Sequence, residues 1–346
     1  MIALWLDFLK SVGAHFTGNT LLHFDQADEE RQQAVQQNVI TDLSHFGLIK
    51  VSGKDAQTFL QGQFTNDVRQ VTDTKAQISA WCNIKGRVLT NFLLFKYHDA
   101  YYLLLPDEHV LNALKRLQMY VLRADVQLEN ASEQLLRIGV SGEHIPTFLQ
   151  TILSSPTDIH QCAYNEQWLI IKIHGTQPRY LVFGDLEPLK TLWQAAIADT
   201  LHPVGNAAWE LLDILSGIPT ILLETTESFV PQMLNLQALE GISFKKGCYV
   251  GQEVVARMKY LGRLKRRLYL VKLETDIPPS PGALLFQAHT EGDSIGKIVN
   301  AQLHPDGHVV ALAVIVIEHE DKDIRLNGPE GLAITLLELP YALPQE

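Results

Sequence analysis

The sequence predicts an α+β protein built from two α+β units and a C-terminal antiparallel β-barrel. Its 346 residues are enough for two or three domains of roughly 150 residues each. Strand and helix patterns are mixed between residues 40 and 204, as expected for small sheets with helices on one face. From Arg267 onward, short β-rich runs alternate with Pro, Gly and Asp turns, which is typical of a small barrel.

The first 39 residues are predicted to form a short amphipathic helix and a surface segment. Ile2, Leu6 and Leu9 fall on one helical face. The acidic, Gln-rich stretch 25–37 has little apolar surface to bury, so we expect it on the outside. Charged side chains interrupt the apolar run and no positive region precedes it, so we expect no cleaved signal peptide.

Residues 40–134 together with 205–262 are predicted to form the first α+β unit. Pro106, followed by two acidic residues, is a typical helix start. The expected elements are a strand at 48–51, a helix after the capping-box spacing of 52–55, strands at 86–97 and 101–105, a helix from Pro106 and a helix at 207–216.

Residues 135–204 are predicted to form a second, ferredoxin-like α+β unit, and residues 263–346 the barrel. The order strand, helix, strand, strand, helix suits a small sheet with helices on one face. The expected elements of the second unit are a strand at 135–140, a helix at 143–153, strands at 168–174 and 179–184, and a helix at 186–199.

Composition and charge exclude several classes of protein. With 46% hydrophobic and 19% charged residues, the chain is neither disordered nor collagen-like. Its net charge of −11 gives no long-range attraction for nucleic acid, although a local basic patch would override that balance. No run of 18 apolar residues occurs, so we expect no membrane span.

Cysteine and histidine spacing predicts a reducing, cytoplasmic setting and no metal site. Cys82, Cys162 and Cys248 lie far apart and include no C-x-x-C pair. Neither a disulfide framework nor a tetrathiolate site is therefore expected within one chain. The 13 histidines show no H-x-x-x-H spacing within a polar helix, so we assign no metal ligands.

The most unusual stretch is residues 241–267, which we call the basic segment. It carries eight Lys or Arg side chains against one Glu, a net charge of +7 over 27 residues. Such segregation in an acidic chain indicates an anionic partner, or the anionic part of a ligand. The alternative is an ordinary solvated face.

Cys248 is the candidate reactive group within the basic segment. It lies between Gly247 and Gly251, beside Lys246 and just ahead of a predicted helix at 252–258. A helix N-terminus and a neighbouring cation both favour a thiolate, the nucleophilic form of cysteine. The alternative is a buried structural cysteine in a turn that glycine permits.

The basic segment also contains a motif that resembles the signature of a known family. The pattern K-G-C-Y-x-G-Q-E is complete, and the sequence is similar to the YgfZ family, the folate-binding relatives of the glycine-cleavage T-protein. The stretches 51–68, 84–95 and 229–244 match the same family in the same order. The motif residues are Lys246, Gly247, Cys248, Tyr249, Gly251, Gln252 and Glu253.

The resemblance implies both a fold and a function. It implies two α+β units and a barrel around a central channel that holds tetrahydrofolate or another folate, with residues 40–134 and 205–262 as the folate-binding-type domain. It further implies an accessory protein that supports iron–sulfur enzymes and, through them, tRNA modification. Its partners would be iron–sulfur proteins or their assembly machinery. Cys248 would be the functional thiol, by a transient mixed disulfide or by lending one ligand to a partner's cluster.

The resemblance also implies residues for the folate. Phe46 and Trp209 fall where the family has aromatic residues that line the folate cavity, and flat rings stack on such faces. T-like proteins usually carry a glutamate where Leu215 stands, and an apolar side chain offers the pterin no acceptor. We therefore expect loose folate binding, weakened by about 1–3 kcal/mol for an unpaired donor.

Cations of the basic segment have two implied roles. Lys246, Arg257 and Lys259 are candidates for the glutamate tail of a folate. The alternative is that they are solvated surface cations. Direct tRNA contact through residues 257–267 is possible but not favoured, because the chain as a whole is acidic and no aromatic-interleaved RNA signature is present. The residues predicted to bind a protein partner are Lys259, Arg263, Lys265 and Arg266.

An enzymatic function is the alternative to the accessory role. T-proteins carry a carboxylate pair near the reactive folate nitrogen, where this sequence has Thr90 and Asn91. Neither side chain supplies the negative charge or the proton acceptor that the reaction needs. We therefore expect no aminomethyltransferase activity, while a folate-dependent one-carbon transferase remains the competing hypothesis.

Overall fold

The computed structural model describes residues 3–18, 20–260, 262–290 and 292–343. Contacts divide the chain into two compact units. The first unit contains the chain up to Phe59, Arg69–Gln77 and Phe92–Leu212; the second contains Leu60–Val68, Ile78–Asn91 and the chain from Asp213 onward. The four-part division made from the sequence stays a prediction.

The elements alternate between strand and helix up to residue 215 and are almost entirely strands after residue 265. The helices are α1 (Ala3–Ser11), α2 (Ala27–Gln36), α3 (Ala56–Gln61), α4 (Asp107–Val121), α5 (Ile145–Gln150), α6 (Leu186–Ala198), α7 (Asn206–Leu215) and α8 (Gln252–Tyr260). The strands before the barrel are β1 (His15–Thr17), β2 (Thr20–His23), β3 (Val39–Asp42), β4 (Phe46–Ser52), β5 (Gln77–Cys82), β6 (Val88–Tyr97), β7 (Ala100–Pro106), β8 (Gln127–Asn130), β9 (Leu136–Ser141), β10 (Cys162–Tyr164), β11 (Trp168–Ile173), β12 (Arg179–Gly184) and β13 (His202–Pro203). The barrel strands are β14 (Arg266–Leu273), β15 (Leu284–Gln287), β16 (Gly296–Leu303), β17 (Val309–Val316), β18 (Ile324–Leu326) and β19 (Leu332–Leu337).

A six-stranded sheet in the order β10-β11-β12-β9-β3-β13 supports the core of the first unit. Alternate residues of β9, β11 and β12 enter one apolar cluster with residues of α1, α5 and α6. Trp5 and Trp193 are both buried and meet edge to face, with ring centroids 5.9 Å apart. Buried aromatic rings contribute large apolar areas, so this contact joins α1 to α6.

The N-terminal helix is confirmed, but its buried face differs from the prediction. Leu9 is buried as expected, whereas Leu6 is only half-buried and Trp5 is buried instead. Ile2, also predicted for this face, lies outside the described residues. The indole Nε1 of Trp5 donates to the carboxylate of Asp42 at 2.7 Å, which satisfies the polar end of a buried ring.

The prediction that segment 25–37 lies on the surface is wrong in one respect. Most of the segment forms helix α2, and one carboxylate of this helix is buried. Glu30 is 3% exposed. One of its oxygens accepts from the backbone N–H groups of Phe24 and Asp25 at 2.6 and 2.8 Å, and the other from Gly205 at 2.7 Å. Three backbone donors compensate a buried charge, so this acidic helix is part of the first unit's core.

A five-stranded sheet has the order β5-β6-β7-β4-β8. The predicted hairpin is confirmed, since β6 and β7 pair antiparallel up to Tyr97 and Ala100. His98, in the turn between them, has a φ of +50°, as tight hairpin turns require. Helix α4 begins directly after Pro106, also as predicted.

The predicted C-terminal β-barrel is confirmed. Six antiparallel strands close in the order β14-β17-β16-β15-β18-β19, so this sheet has no free edge. Alternate residues such as Val271, Ala311 and Ala313 point into one buried apolar cluster. In the part of the chain that the structure describes, no helix is long and apolar enough to cross a membrane.

Candidate functional site

The K-G-C-Y-x-G-Q-E motif lies in the second unit, in the turns that lead into helix α8. The predicted helix at 252–258 is confirmed and begins at Gln252. Cys248 is exposed and unpaired four residues before it. The motif therefore presents its thiol to solvent rather than burying it.

Lys246 anchors the motif to the backbone of the second unit. It is only 5% exposed, and its Nζ donates to the carbonyl oxygens of Phe64 and Asn66 at 2.7 and 2.8 Å. The same ammonium lies 5.1 Å from the centre of the Tyr249 ring, a cation–π distance. Two of its three N–H donors are therefore directed at main-chain oxygens, and its role toward a folate tail stays a prediction.

The second glycine of the motif is required by close packing, whereas the first is not. Gly251 has a φ of +81°, and a Cβ there would lie 2.4 Å from the carbonyl oxygen of Asn83. Gly86 faces it with a φ of +67°. Nothing described lies within 4 Å of a Cβ built on Gly247. Gly251 thus lets the turn before α8 approach the turn before β6.

The remaining motif side chains support this turn. Tyr249 is buried, and burial, followed by the proximity of Cys82, raises the pKa of its hydroxyl. Gln252 is half-buried at the first position of α8, and Glu253 is exposed in its first turn. A carboxylate there interacts favourably with the helix dipole.

The two other cysteines are chemically different from Cys248. Cys82 and Cys162 are both buried, and burial raises the pKa of each thiol to about 12. Because the thiolate is the nucleophile, both are poorly reactive in the folded chain. All three cysteines lie in the described residues, so Cys248 is the one exposed thiol.

Cations of the basic segment meet around a cavity of about 800 Å³ in the second unit. Lys259, Arg263 and Arg267 line it together with the ring of Phe244. The Nζ of Lys259 lies 4.1 Å from the centre of that ring. Arg267 was counted in the basic segment but not assigned a role, and Phe244 was not predicted as a site residue.

Two residues of the cavity's lining carry buried amide oxygens. Gln232 and Gln237 both line it, and the Oε1 atom of each is buried without a hydrogen-bond partner among the described residues. The other end of the Gln232 side chain is fixed, since its Nε2 donates to the carbonyl of Val255 at 2.6 Å. Unpaired buried acceptors are costly, but neither oxygen is exposed to the cavity in this conformation.

The remaining predicted cations lie apart from the cavity's described lining. Arg257 is exposed on α8, and Lys265 and Arg266 are exposed where β14 begins. The backbone of Lys265 accepts a hydrogen bond from Ile317 at 2.9 Å. The structure therefore separates the predicted set into a cavity group and a surface group.

The two aromatic residues predicted for the folate are in the first unit and differ in exposure. Phe46 is half-buried at the start of β4, with its ring 4.4 Å from that of His45. Trp209 is 1% exposed, with the Arg179 guanidinium 4.1 Å from its ring centre and Gly139 against its edge. Trp209 is therefore packed within the first unit, and its role in lining a folate cavity stays a prediction.

Thr90 is buried, and Asn91 makes two hydrogen bonds through its side-chain amide. Thr90 is 2% exposed. The Asn91 amide donates to the carbonyl of Pro219 at 2.7 Å and accepts from the backbone N–H of Ile221 at 2.9 Å. An aspartate could not donate to Pro219, because a carboxylate has no proton to give. The two hydrogen bonds of the Asn91 side chain fix the 219–221 segment to β6.

The fold and the sequence both have relatives among known proteins. The structure is similar to the crystal structure of glycine cleavage system aminomethyltransferase T from Bartonella henselae, with a TM-score of 0.78 over 96% of each chain at 17% identity. Residues 11–179 match the family model described as the GCVT N-terminal domain. The chain thus has the aminomethyltransferase T fold, here with an exposed cysteine and no carboxylate at Thr90 or Asn91.

Curated relatives identify the family within that fold. The chain is 32% identical over 309 residues to tRNA-modifying protein YgfZ of Colwellia psychrerythraea, covering 89% of this chain and 94% of the relative. It is 32% identical to the protein of the same name from Photobacterium profundum, covering 93% and 97%, and 33% identical to one from Vibrio vulnificus, covering 91% and 96%. The chain belongs to the YgfZ family, as the motif predicted.

Proposed function

We propose that this protein is a folate-binding accessory protein that supports iron–sulfur enzymes and thereby tRNA modification, with Cys248 as its functional thiol. The observation that carries the proposal is the contrast between this thiol and its surroundings. Cys248 is exposed, while its neighbours Lys246, Tyr249 and Gly251 are held by buried hydrogen bonds, a ring contact and close backbone packing. The relatives' name supports the link to tRNA modification.

A fixed loop suits a thiol that must meet a partner. A side chain presented on an ordered backbone loses less conformational entropy on contact than one on an unanchored loop. In thiol exchange, the Cys248 thiolate attacks a partner disulfide, one new S–S bond forms, and the partner's other sulfur leaves as a thiolate. No further oxidant is consumed. Alternatively the same thiolate supplies one ligand to a partner's cluster, since one cysteine cannot hold a cluster alone.

The cavity of the second unit supports the folate part of the proposal. A folate needs acceptors for its pterin N–H groups, an aromatic or apolar face for its rings, and cations for its glutamate carboxylates. The cavity offers the ring of Phe244 and the cations Arg263 and Arg267. Gln232 and Gln237 in its lining each carry an unpaired amide oxygen that reaches a ligand only after the side chain rotates. Its volume of about 800 Å³ lies within the range of small-molecule sites.

Calorimetric titration with tetrahydrofolate tests this assignment. Arg263→Glu should weaken binding at least tenfold, while Lys265→Glu, at an exposed cation outside the described lining, should leave it unchanged. Leu215→Glu adds an acceptor near the end of α7. If that change tightens binding while Arg263→Glu has no effect, the pterin lies beside α7 and the cavity assignment is wrong.

The one-carbon transferase alternative is opposed by the contacts of Asn91. Its amide holds Pro219 and Ile221 as donor and acceptor at once, so the position is occupied by a structural role. We expect no transfer above a blank with the glycine-cleavage carrier protein and tetrahydrofolate. Turnover clearly above the blank would favour the enzymatic hypothesis.

Genetic complementation tests the accessory role. In a bacterial strain lacking its YgfZ-family protein, the wild-type chain should restore the activity of an iron–sulfur tRNA-modifying enzyme, read as the level of its modified nucleoside. A gel-shift assay with tRNA should show weak binding at physiological salt, because the net charge is −11. Failure of the wild-type chain to restore modification would contradict the proposal.

A further inference from the structure

The hairpin between β16 and β17 gathers three side chains that bind metals. His304, Asp306 and His308 each offer one ligand atom, and these atoms all lie within 4.8 Å of one another. The two imidazole rings are stacked, with centroids 4.6 Å apart and an interplanar angle of 18°. The helical spacing searched for in the sequence could not reveal this set, since it lies in a turn.

The turn itself is fixed by the barrel. The backbone N–H of His304 donates to the carbonyl of His308 at 2.7 Å, and that of Gly307 donates to His304 at 3.0 Å. Gly307 has a φ of +82°, which glycine adopts without strain. Directly behind the turn, Leu303 pairs with Val309. The two histidines therefore face each other across the hairpin, one just after β16 and one just before β17. This register holds them close together before any metal binds.

A fourth donor, the carboxylate of Glu274, follows the neighbouring strand β14. Strand β14 ends at Leu273, which pairs with Val309, so Glu274 comes next to His308. Its carboxylate interacts with Lys272 at 2.8 Å. Two nitrogens and the Asp306 carboxylate are thus grouped at one end of the barrel, with Glu274 at the register position beside His308.

We propose that His304, Asp306 and His308, with Glu274 as an additional donor, form a binding site for a divalent transition-metal ion of the zinc class. Imidazole suits Zn²⁺, Cu²⁺ and Ni²⁺, whereas Mg²⁺ and Ca²⁺ prefer sites made of oxygen alone. Tetrahedral Zn²⁺ with bonds of about 2.0–2.1 Å needs ligand atoms roughly 3.3 Å apart. Binding therefore requires side-chain rotations that bring the ligand atoms closer than their present spacing of up to 4.8 Å. The site is independent of the folate cavity and of Cys248.

Zinc titration of the full chain tests the site. The metal-free protein is titrated with ZnCl₂ by calorimetry, beside the double variant His304→Ala/His308→Ala. We expect one tight site in the wild type and at least tenfold weaker Zn²⁺ binding in the double variant. With one equivalent of Cu²⁺, electron paramagnetic resonance should show coupling to two nitrogens, and the double variant should lose it.

Matched variants separate this site from other exposed histidines. His289 is exposed on the same barrel and paired with Glu330 at 3.0 Å, so His289→Ala should bind Zn²⁺ like the wild type. His15 and His23 form another stacked pair, 4.8 Å apart, and His15→Ala should also have no effect. Should the double variant unfold, Asp306→Asn and His308→Gln provide milder substitutions. Unchanged Zn²⁺ affinity in the His304 and His308 variants, or a loss seen only in His15→Ala, would overturn the proposal.

Discussion

Replacing the motif lysine should destabilise the fold, which distinguishes its structural role from a chemical one. Lys246→Met removes the ammonium that donates to the Phe64 and Asn66 carbonyls at 2.7 and 2.8 Å. Each buried acceptor left unpaired costs about 1–3 kcal/mol. The gain from no longer burying a charge offsets part of this loss. We therefore expect a net loss of about 2–4 kcal/mol.

Thermal unfolding of the purified variants measures the effect. For a unit of this size, a loss of that order lowers Tm by roughly 5–10 °C. The neighbouring Lys245 is exposed, so Lys245→Met removes the same charge without the buried bonds and should shift Tm by no more than about 2 °C. Equal Tm values for the two variants, together with lost support of tRNA modification only in Lys246→Met, would refute the structural role.

Three further predictions concern single side chains. Iodoacetamide at neutral pH should label Cys248 well before Cys82, because the raised pKa of Cys82 leaves it roughly 1,000-fold less thiolate than an ordinary thiol. Labelling is followed by peptide mass spectrometry, and equally fast labelling of both residues would contradict this prediction. Burial, followed by the nearby His174 and Lys75, lowers the pKa of His160 to about 3. Between that value and about 6.5 the unfolded chain binds more protons, so stability falls as pH falls through this window. His160→Asn, which tolerates the left-handed backbone there, should reduce the acid slope of the unfolding free energy by up to about 1.4 kcal/mol per pH unit, and an unchanged slope argues against a buried neutral ring. Asn91→Asp should lower Tm, because a carboxylate then faces the Pro219 carbonyl, which costs about 1–3 kcal/mol of unfolding free energy. The variant should also gain no aminomethyltransferase activity. A stable variant with transfer activity would show that Asn91 has no structural role.

The sequence predicted the elements whose spacing is regular. Alternating apolar residues predicted β4, β6, β7, β9, β11 and β12, but not β3, β5, β8, β10 or β13. They placed the start of the barrel within one or two residues of β14. Pro106, as a helix start signal, and Gly217, as a helix stop signal, correctly located the beginning of α4 and the end of α7. The motif itself predicted the family and helix α8. These features depend on local patterns that tertiary contacts do not override.

Other features depend on partners that are distant in the chain. The carboxylate of Glu30 is buried and accepts from three backbone N–H groups, two at residues 24 and 25 and one at Gly205. Lys246 lies in the basic segment of the sequence, yet it donates to carbonyls about 180 residues away. Trp209 packs against Arg179, which lies 30 positions earlier in the chain. The side chains of His304 and His308 meet because the strand register of β16 and β17 closes their turn.

The most direct test of the functional account is complementation by Cys248→Ser alone. In the strain that lacks its YgfZ-family protein, the level of the modified tRNA nucleoside is measured by mass spectrometry after expression of the wild-type chain or the variant at equal abundance. We expect the variant to fold with an unchanged Tm, because the side chain is exposed, yet to restore only a small fraction of the modification. Restoration to the wild-type level by Cys248→Ser would show that this thiol is not the functional group.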